Sequence, residues 1–239
     1  MKIVIDFGHG GSDPGAVANG LREKDLTMKI GLMIGDMLSD YEGVEVIYTR
    51  SDDRYLSLEE RAAIANKAGA DFFLSIHINA GGGTGFESYI HNGNVSTKTI
   101  AYQNVIHAEI MKAIGNVKDR GKKRANYAVL RETKMPALLT ENLFIDNASD
   151  ATKLKSQEFI LKIASGHVEG IVKAFGLKKK KEAVKMPEQA KTQYDKEVDA
   201  AFEFLKQHGV VAQDRRNEPV TRAQMFLMLH RFAKNVLKK

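Results

Sequence analysis

Three residues whose side chains bind metals lie at the ends of predicted strands or in the segments that follow them. His9 follows the first predicted strand in DFGHGGSDPGA, and His77 ends the third in LSIHIN. Glu23 lies in GLREKD, just before the first long predicted helix. Ligands of open α/β sheets bind at the carboxyl ends of the strands. Because two imidazoles and one carboxylate leave a fourth position open on a zinc ion, this set predicts a catalytic site with one Zn²⁺ per chain.

A further carboxylate, Glu141, follows an apolar run in PALLTENLF. The run predicts a strand from which Glu141 emerges toward the same crevice. A carboxylate beside a zinc-activated water can take its proton and return it to a leaving amine. Burying a charge among apolar side chains is costly unless the charge has a partner or a task. We therefore predict that Glu141 is the catalytic acid and base.

Each of these residues also has a simpler explanation when it is taken alone. A single His at a strand end is usually structural, and a Glu at a helix start is favoured by the helix dipole. The glycines after the first strand are also typical of a phosphate-binding loop. The chain lacks the Lys-Ser/Thr pair of a P-loop and the spacing of a dinucleotide fingerprint, so neither is predicted. The order and context of the set favour the metal site.

Composition limits the chemistry further. The 239 residues include no Cys, which excludes disulfides, thiolate zinc sites and a Cys nucleophile. The 43% hydrophobic content is enough for a buried core, so a wholly disordered chain is excluded. No stretch approaches the roughly 18–20 apolar residues of a membrane span. The first apolar run is too short for a signal peptide, so we expect synthesis in the cytoplasm without one.

Predicted strands alternate with predicted helices over the first 176 residues, which favours an α/β domain built on a parallel or mixed sheet. The predicted strands are 2–7, 44–49, 71–78, 85–90, 128–131 and 137–144. The predicted helices are 25–38, 58–68, 97–114 and 157–175. Ser57 and Glu60 have the spacing of a capping box at the start of the second helix.

The charge pattern divides the chain. Residues 1–176 carry 21 Lys and Arg against 22 Asp and Glu, whereas residues 177–239 carry 15 against 8. We predict a catalytic domain over 1–176, a basic linker over 177–194 and a small helical module over 195–239. The excess positive charge indicates either a polyanionic partner, such as nucleic acid, anionic lipid or anionic cell-wall polymer, or a solvated linker and helix face.

Five ordered segments carry a resemblance to a known family: IDFGHGGSDPGA, GLREKDLTMKI, the stretch from VIYTRSDD to LSIHINA, ANYAVLRETKMPALLTENLFIDN and the last long helix. Over residues 2–175 the sequence resembles the zinc-dependent N-acetylmuramoyl-L-alanine amidases of the amidase-3 type, found in autolysins and phage endolysins. The resemblance implies metal binding by His9, Glu23 and His77 and catalysis by Glu141. It also implies a twisted mixed sheet flanked by helices, related to zinc carboxypeptidases and aminopeptidases. The family commonly has a Gly at the position of Leu143, so this departure bears on the local backbone shape and on substrate fit.

Several residues near these motifs receive secondary assignments. Asn79 and Glu87 either line the cleft or serve as a turn Asn and a strand-edge Glu. We expect structural ion pairs for Arg50, Asp53 and Arg61. We interpret His91, His107 and His167 as ordinary surface or helix histidines.

The C-terminal segments AFEFLKQHGVV and EPVTRAQMFLMLHRF resemble a shortened S-layer homology repeat. That resemblance implies binding of an anionic cell-wall polymer, and we expect no specific nucleic-acid partner. The candidate anion-binding residues are Arg215, Arg216 and Arg222.

The resemblance implies hydrolysis of the amide bond between N-acetylmuramic acid and the L-alanine of peptidoglycan, and we favour a phage endolysin that acts on the wall after its release. A zinc peptidase of the same fold, a host autolysin or a sporulation amidase are the alternatives. A binding module with a vestigial metal site is a third hypothesis, although nothing in the sequence interrupts the site.

Overall fold

The computed structural model describes residues 1–180, of which Met1–Lys179 form one compact unit. The predicted module over 195–239, with Arg215, Arg216 and Arg222, lies outside the described residues. The first residues of the predicted linker lie against the domain, since the Glu42 amide donates to the Lys178 carbonyl at 2.8 Å.

A six-stranded sheet forms the centre of the domain. Its strands are β1 (Lys2–Phe7), β4 (Glu45–Tyr48), β5 (Phe72–Asn79), β6 (Phe86–His91), β7 (Asp119–Ala125) and β8 (Ala137–Phe144), and a separate hairpin consists of β2 (Val17–Ala18) and β3 (Leu21–Arg22). The spatial order is β4-β1-β5-β8-β6-β7. The first four are mutually parallel, β6 runs antiparallel to β8, and β7 is parallel to β6. The sheet is therefore mixed, as predicted.

Helices cover both faces of the sheet. They are α1 (Glu23–Leu38), α2 (Leu58–Ala68), α3 (Thr97–Ile114), α4 (Ala128–Arg131), α5 (Ala148–Lys155) and α6 (Gln157–Phe175). On one face, Phe72 packs against Tyr102 of α3 and Phe175 of α6. On the other, Val4 and Phe73 share a cluster with side chains of α2 and α4. Successive strand residues point to opposite faces, so the fully apolar runs in β1 and β5 follow from burial on both sides.

The predicted bounds of α2, α3, β8 and α6 are confirmed, including the capping box between Ser57 and Glu60 at the start of α2. Within residues 1–180, no helix has the length and apolar character needed to cross a membrane.

The predicted strand over 128–131 is wrong, because these residues form the short helix α4. Val129 and Leu130 pack in the cluster beneath α2, and a single helical turn buries both of them. An apolar run of four residues does not distinguish a strand from a helical turn, so tertiary packing decides. Strand β7 escaped prediction because its sequence, DRGKKRA, is almost entirely polar. It lies at the edge of the sheet, where charged side chains are common.

Candidate metal centre

The fold brings three of the predicted site residues together at one edge of the sheet. His9, Glu23 and His77 each offer a ligand atom, and these atoms lie within 4.8 Å of one another. His9 Nε2 lies 3.2 Å and His77 Nδ1 lies 3.1 Å from the same oxygen, Glu23 Oε1. Because β1 and β5 are neighbouring parallel strands, His9, just after β1, and His77, near the end of β5, lie close together.

Asp13 orients the first imidazole. His9 has a φ of 63°, in the left-handed region, and its Nδ1 lies 2.8 Å from Asp13 Oδ2. The other oxygen of Asp13 accepts from the Gly15 amide at 3.0 Å, which fixes the carboxylate. A carboxylate on one ring nitrogen leaves the other free for a metal, a common arrangement around metal-bound histidines. Asp13 was not among the predicted site residues, although its position in the same loop, four residues after His9, was a usable signal.

A buried arginine holds the backbone of the same loop. Arg61 donates from Nη2 to the His9 carbonyl and from Nη1 to Asp6 Oδ1, both at 2.8 Å. Asp6 is completely buried and also accepts from the hydroxyls of Thr49 and Ser75. Burial disfavours the charged form of Asp6, but Arg61 and the two hydroxyls outweigh burial and hold its pKa below the usual range. The predicted ion pair of Arg61 is therefore confirmed.

The other two predicted ion pairs differ from each other. Asp53 pairs with the Lys24 ammonium at 2.9 Å, as expected. Within residues 1–180 Arg50 forms no ion pair, and it donates instead to the backbone carbonyls of Phe7 at 3.1 Å and Lys24 at 2.9 Å. Arg50 thus joins the end of β1, which precedes His9, to the start of α1, which begins at Glu23.

Two glycines leave the space that the ligands occupy. A Cβ on Gly8 would lie 2.3 Å from His77 Cε1, and a Cβ on Gly15 would lie 2.6 Å from Glu23 Oε2. Real Cβ atoms do not approach so closely, so any larger residue displaces a ligand side chain. Close packing around the ligands therefore explains the glycines at these two positions.

The ligand charges are complementary. Burial raises the pKa of Glu23, but hydrogen bonds with His77 and His9 outweigh this and lower it far below normal. Burial alone would lower the pKa of His9, but Glu23 and then Asp13 raise it to about 9. The pKa of His77 is also raised, with Glu23 again the main partner that opposes burial. One carboxylate thus holds two imidazoles, and the resulting N₂O donor set fits a zinc ion once the imidazoles lose their protons.

Glu141 lies beside this group on β8, where it is the register partner of His77 on β5. Its Oε2 atom is buried and has no hydrogen-bond partner within residues 1–180. Burial, aided by the negative charges of Glu23 and Glu87, raises the pKa of Glu141 to about 7, although His77 opposes the shift. Among residues 1–180, the site thus contains a buried carboxyl group with one unpartnered oxygen and a pKa near neutrality.

The backbone turns sharply just after Glu141. Leu143 has a φ of 70° and is fully buried. Pairing between β5 and β8 shifts register here, because His77 pairs with Glu141 and Asn79 with Phe144. The extra residue in β8 forms a bulge. The left-handed conformation explains why a glycine suits this position, and a leucine there is strained.

The predicted cleft residues Asn79 and Glu87 bond to each other. Asn79 Nδ2 donates to Glu87 Oε1 at 2.7 Å, and Glu87 is the direct partner of Glu141 across β6 and β8. Both residues therefore lie beside the predicted catalytic carboxylate.

A second group of polar side chains, elsewhere in the domain, has a structural role. Ser88 Oγ lies 2.8 Å from His107 Nδ1, and His107 Nε2 lies 2.9 Å from Asp119 Oδ1, in the order of a Ser-His-Asp triad. Ser88 has no exposed surface, so a substrate cannot reach its hydroxyl. His167 is likewise fully buried, with Nε2 3.0 Å from Thr140 Oγ1.

Comparison with known proteins identifies the family. The amidase-3 family, described as N-acetylmuramoyl-L-alanine amidase, matches residues 3–173. The chain is 57% identical over 180 residues to the sporulation-specific N-acetylmuramoyl-L-alanine amidase of Bacillus subtilis (strain 168), covering 75% of this chain and 70% of the relative. It is 48% identical over 184 residues to the endolysin of Bacillus phage SPP1, covering 75% and 68% respectively.

Solved structures agree with this match. The catalytic domain of CwlV, an N-acetylmuramoyl-L-alanine amidase from Bacillus (Paenibacillus) polymyxa, has a TM-score of 0.70 at 35% identity, covering 74% of this chain and 99% of that domain. The N-acetylmuramoyl-L-alanine amidase of Clostridium difficile 630 has a TM-score of 0.70 at 33% identity, covering 73% and 96%. The chain therefore belongs to the amidase-3 family of N-acetylmuramoyl-L-alanine amidases.

Proposed function

We propose that this chain hydrolyses the amide bond between N-acetylmuramic acid and L-alanine with a zinc ion held by His9, Glu23 and His77, and with Glu141 as the catalytic acid and base. The observation that carries the proposal is the buried, unpartnered Oε2 of Glu141 beside a compact group of two imidazoles and one carboxylate. A buried carboxyl group without a partner is costly, so it is expected where catalysis uses it.

The residues divide the chemistry between them. Zinc, when bound, supplies Lewis-acid activation of the amide carbonyl and of a water molecule. Glu141 takes a proton from the attacking water and returns it to the nitrogen of the departing L-alanine. Its pKa of about 7 suits both transfers, because the group accepts and releases a proton near neutral pH. Asp13 and Arg61 hold His9 in place during these steps.

The biological setting that we propose is lysis of the cell wall by a phage endolysin, which is made in the cytoplasm and reaches peptidoglycan after release. The similarity to the endolysin of phage SPP1 supports this setting. The similarity to a sporulation-specific amidase favours a host enzyme with the same site. Expression timing distinguishes the two, since an endolysin gene is transcribed during phage induction and a sporulation gene in the mother cell.

We also propose that residues 195–239 bind an anionic cell-wall polymer. The support is an excess of positive charge, with 9 Lys and Arg against 6 Asp and Glu in residues 195–239 and 6 against 2 in the adjoining linker 177–194. The full chain is expected to sediment with purified walls, and a chain ending at residue 180 is expected to sediment less. Equal sedimentation of the two would contradict wall binding by this segment. Competition by DNA at low salt that disappears at high salt would instead indicate nonspecific polyanion binding.

Digestion of purified peptidoglycan tests the enzymatic proposal. Mass spectrometry is expected to detect stem peptides with a free N-terminal alanine, and a chelator is expected to abolish their release until zinc is restored. Cuts within the stem would indicate a zinc peptidase instead. Undiminished release by protein from which all metal has been removed would contradict the zinc site.

A further inference from the structure

Glu87 lies at the centre of a cluster next to the site. Its two carboxylate oxygens accept from Asn79 at 2.7 Å, from the Tyr89 hydroxyl at 2.8 Å and from Arg120 Nε at 2.7 Å, and they also accept from the Lys123 ammonium. The Glu87 side chain is only 3% exposed. These four donors fix the carboxylate, so the cluster is a rigid part of the site wall.

The cluster carries more positive than negative charge. One carboxylate, Glu87, faces two cations, Arg120 and Lys123, which leaves a net charge of +1. Arg120 uses only Nε in this cluster, and its two Nη atoms have no acceptor within residues 1–180. Its guanidinium lies 4.8 Å over the Phe144 ring, and 26% of the side chain is exposed. A planar guanidinium held at one edge presents its remaining nitrogens in the geometry that binds a carboxylate through two hydrogen bonds.

The order of strands across the sheet places this cluster on the opposite side of Glu141 from the metal ligands. His9 follows β1 and His77 lies on β5. Glu141 lies on the next strand, β8, and Arg120 and Lys123 lie on β7, beyond β6. Glu141 protonates the leaving nitrogen in the proposed function. A departing peptide that extends from Glu141 away from the ligands would pass Glu87 and reach Arg120.

We infer that Arg120, with Lys123 beside it, binds a carboxylate of the peptidoglycan stem peptide and so determines which stems are cleaved. The inference rests on the proposed function, since that function sets the direction of the peptide. The group that Arg120 would bind is the free α-carboxyl group of the residue after L-alanine, because this carboxylate is the one closest to the cleaved bond. A stem peptide in which this α-carboxyl group is amidated lacks the negative charge, so it cannot form an ion pair with Arg120.

Two soluble substrates test the inference with the zinc-loaded full chain. Both are N-acetylmuramoyl-L-Ala-γ-D-Glu-L-Lys amide, one with the glutamate α-carboxyl free and the other with it amidated. The unmodified enzyme is expected to have an about tenfold higher kcat/KM for the free carboxylate, the size of a charge-assisted hydrogen bond at a partly exposed site. Arg120→Gln is expected to remove that preference by slowing only the free-carboxylate substrate.

The control variant is Lys122→Gln on the same strand. Lys122 donates to Asn104 of α3, so its ammonium lies on the other side of the sheet, and the substitution removes an equal charge. It is expected to keep the full preference. Loss of the preference in Lys122→Gln, an equal decrease on both substrates in Arg120→Gln, or no preference in the unmodified enzyme would each overturn the inference. If the unmodified enzyme cleaves both substrates equally, the inference about Arg120 fails and the proposed function is retained. If it cleaves neither substrate, the proposed function is overturned as well.

Discussion

Glu87 and Glu141 are direct partners across the antiparallel strands β6 and β8, and their surroundings shift their pKa values in opposite directions. Burial raises the pKa of Glu141 to about 7. Burial also acts on Glu87, but Lys123, Arg120 and Tyr89 outweigh it and lower the pKa. Neighbouring carboxyl groups with separated pKa values commonly have separate roles in catalysis. In the proposed mechanism Glu87 stays ionised and holds the cations Arg120 and Lys123, while Glu141 exchanges protons.

Removing the charge of Asp13 tests how His9 is oriented. Asp13→Asn keeps the size of the side chain but weakens the bond to His9 Nδ1, so zinc affinity is expected to fall by about 10- to 100-fold. Competition with a chromophoric chelator measures that affinity. Asp52→Asn is the matched control, because among the described residues the Asp52 carboxylate pairs with the exposed Arg54 alone. Unchanged zinc affinity in Asp13→Asn would contradict the orienting role.

Removing Arg61 tests the buried support of the His9 loop. Arg61→Gln leaves the Asp6 carboxylate buried without its ionic partner, and such losses typically cost about 3–5 kcal/mol of unfolding free energy. Arg54→Gln removes the same charge from an exposed pair with Asp52 and is expected to cost less than about 1 kcal/mol. Urea denaturation measures both. Equal small effects would mean that the buried pair contributes no more than the exposed one.

The left-handed backbone at Leu143 predicts an unusual order of stabilities. Truncating a buried leucine costs about 2–5 kcal/mol, so both Leu143→Ala and Leu143→Gly are expected to be less stable than the natural chain. Glycine adopts a φ of 70° without strain, so Leu143→Gly should be more stable than Leu143→Ala by about 1 kcal/mol. Leu139 on the same strand is also buried but does not have a positive φ. At Leu139 the alanine variant should therefore be more stable than the glycine variant. A glycine variant that is the more stable one at both positions would contradict backbone strain at Leu143.

The buried His167, which lies outside the metal site, allows a prediction of how the stability of the domain depends on pH. Complete burial lowers its pKa from 6.5 to about 4. Between these values the unfolded chain binds a proton that the folded chain does not, so stability falls as pH decreases from 6.5 to 4. The shift corresponds to roughly 3 kcal/mol at pH 4. His167→Gln should flatten this part of the profile, measured by urea denaturation at several pH values. An unchanged slope would assign the acid sensitivity to other groups.

Much of the site was predictable because it depends on local sequence and strand order. His9 and His77 lie at the ends of strongly apolar strands, and parallel neighbouring strands bring such ends together. Glu141 was recognisable because a carboxylate in an apolar run is costly. What remained unpredictable depends on tertiary packing: α4 forms over 128–131 because the core accepts a helical turn there, and the polar edge strand β7 has no apolar pattern. Arg120 therefore could not be placed beside Glu87 from sequence alone.

The most direct test of the account compares zinc content and product release in Glu141→Gln and in the unmodified chain. The substitution leaves the three proposed ligands in place, so elemental analysis should find one zinc per chain in both proteins. Release of peptides with N-terminal alanine should fall by about 10²- to 10⁴-fold in the variant, the usual contribution of acid–base catalysis. Release at the unmodified rate by zinc-loaded Glu141→Gln would contradict the central claim.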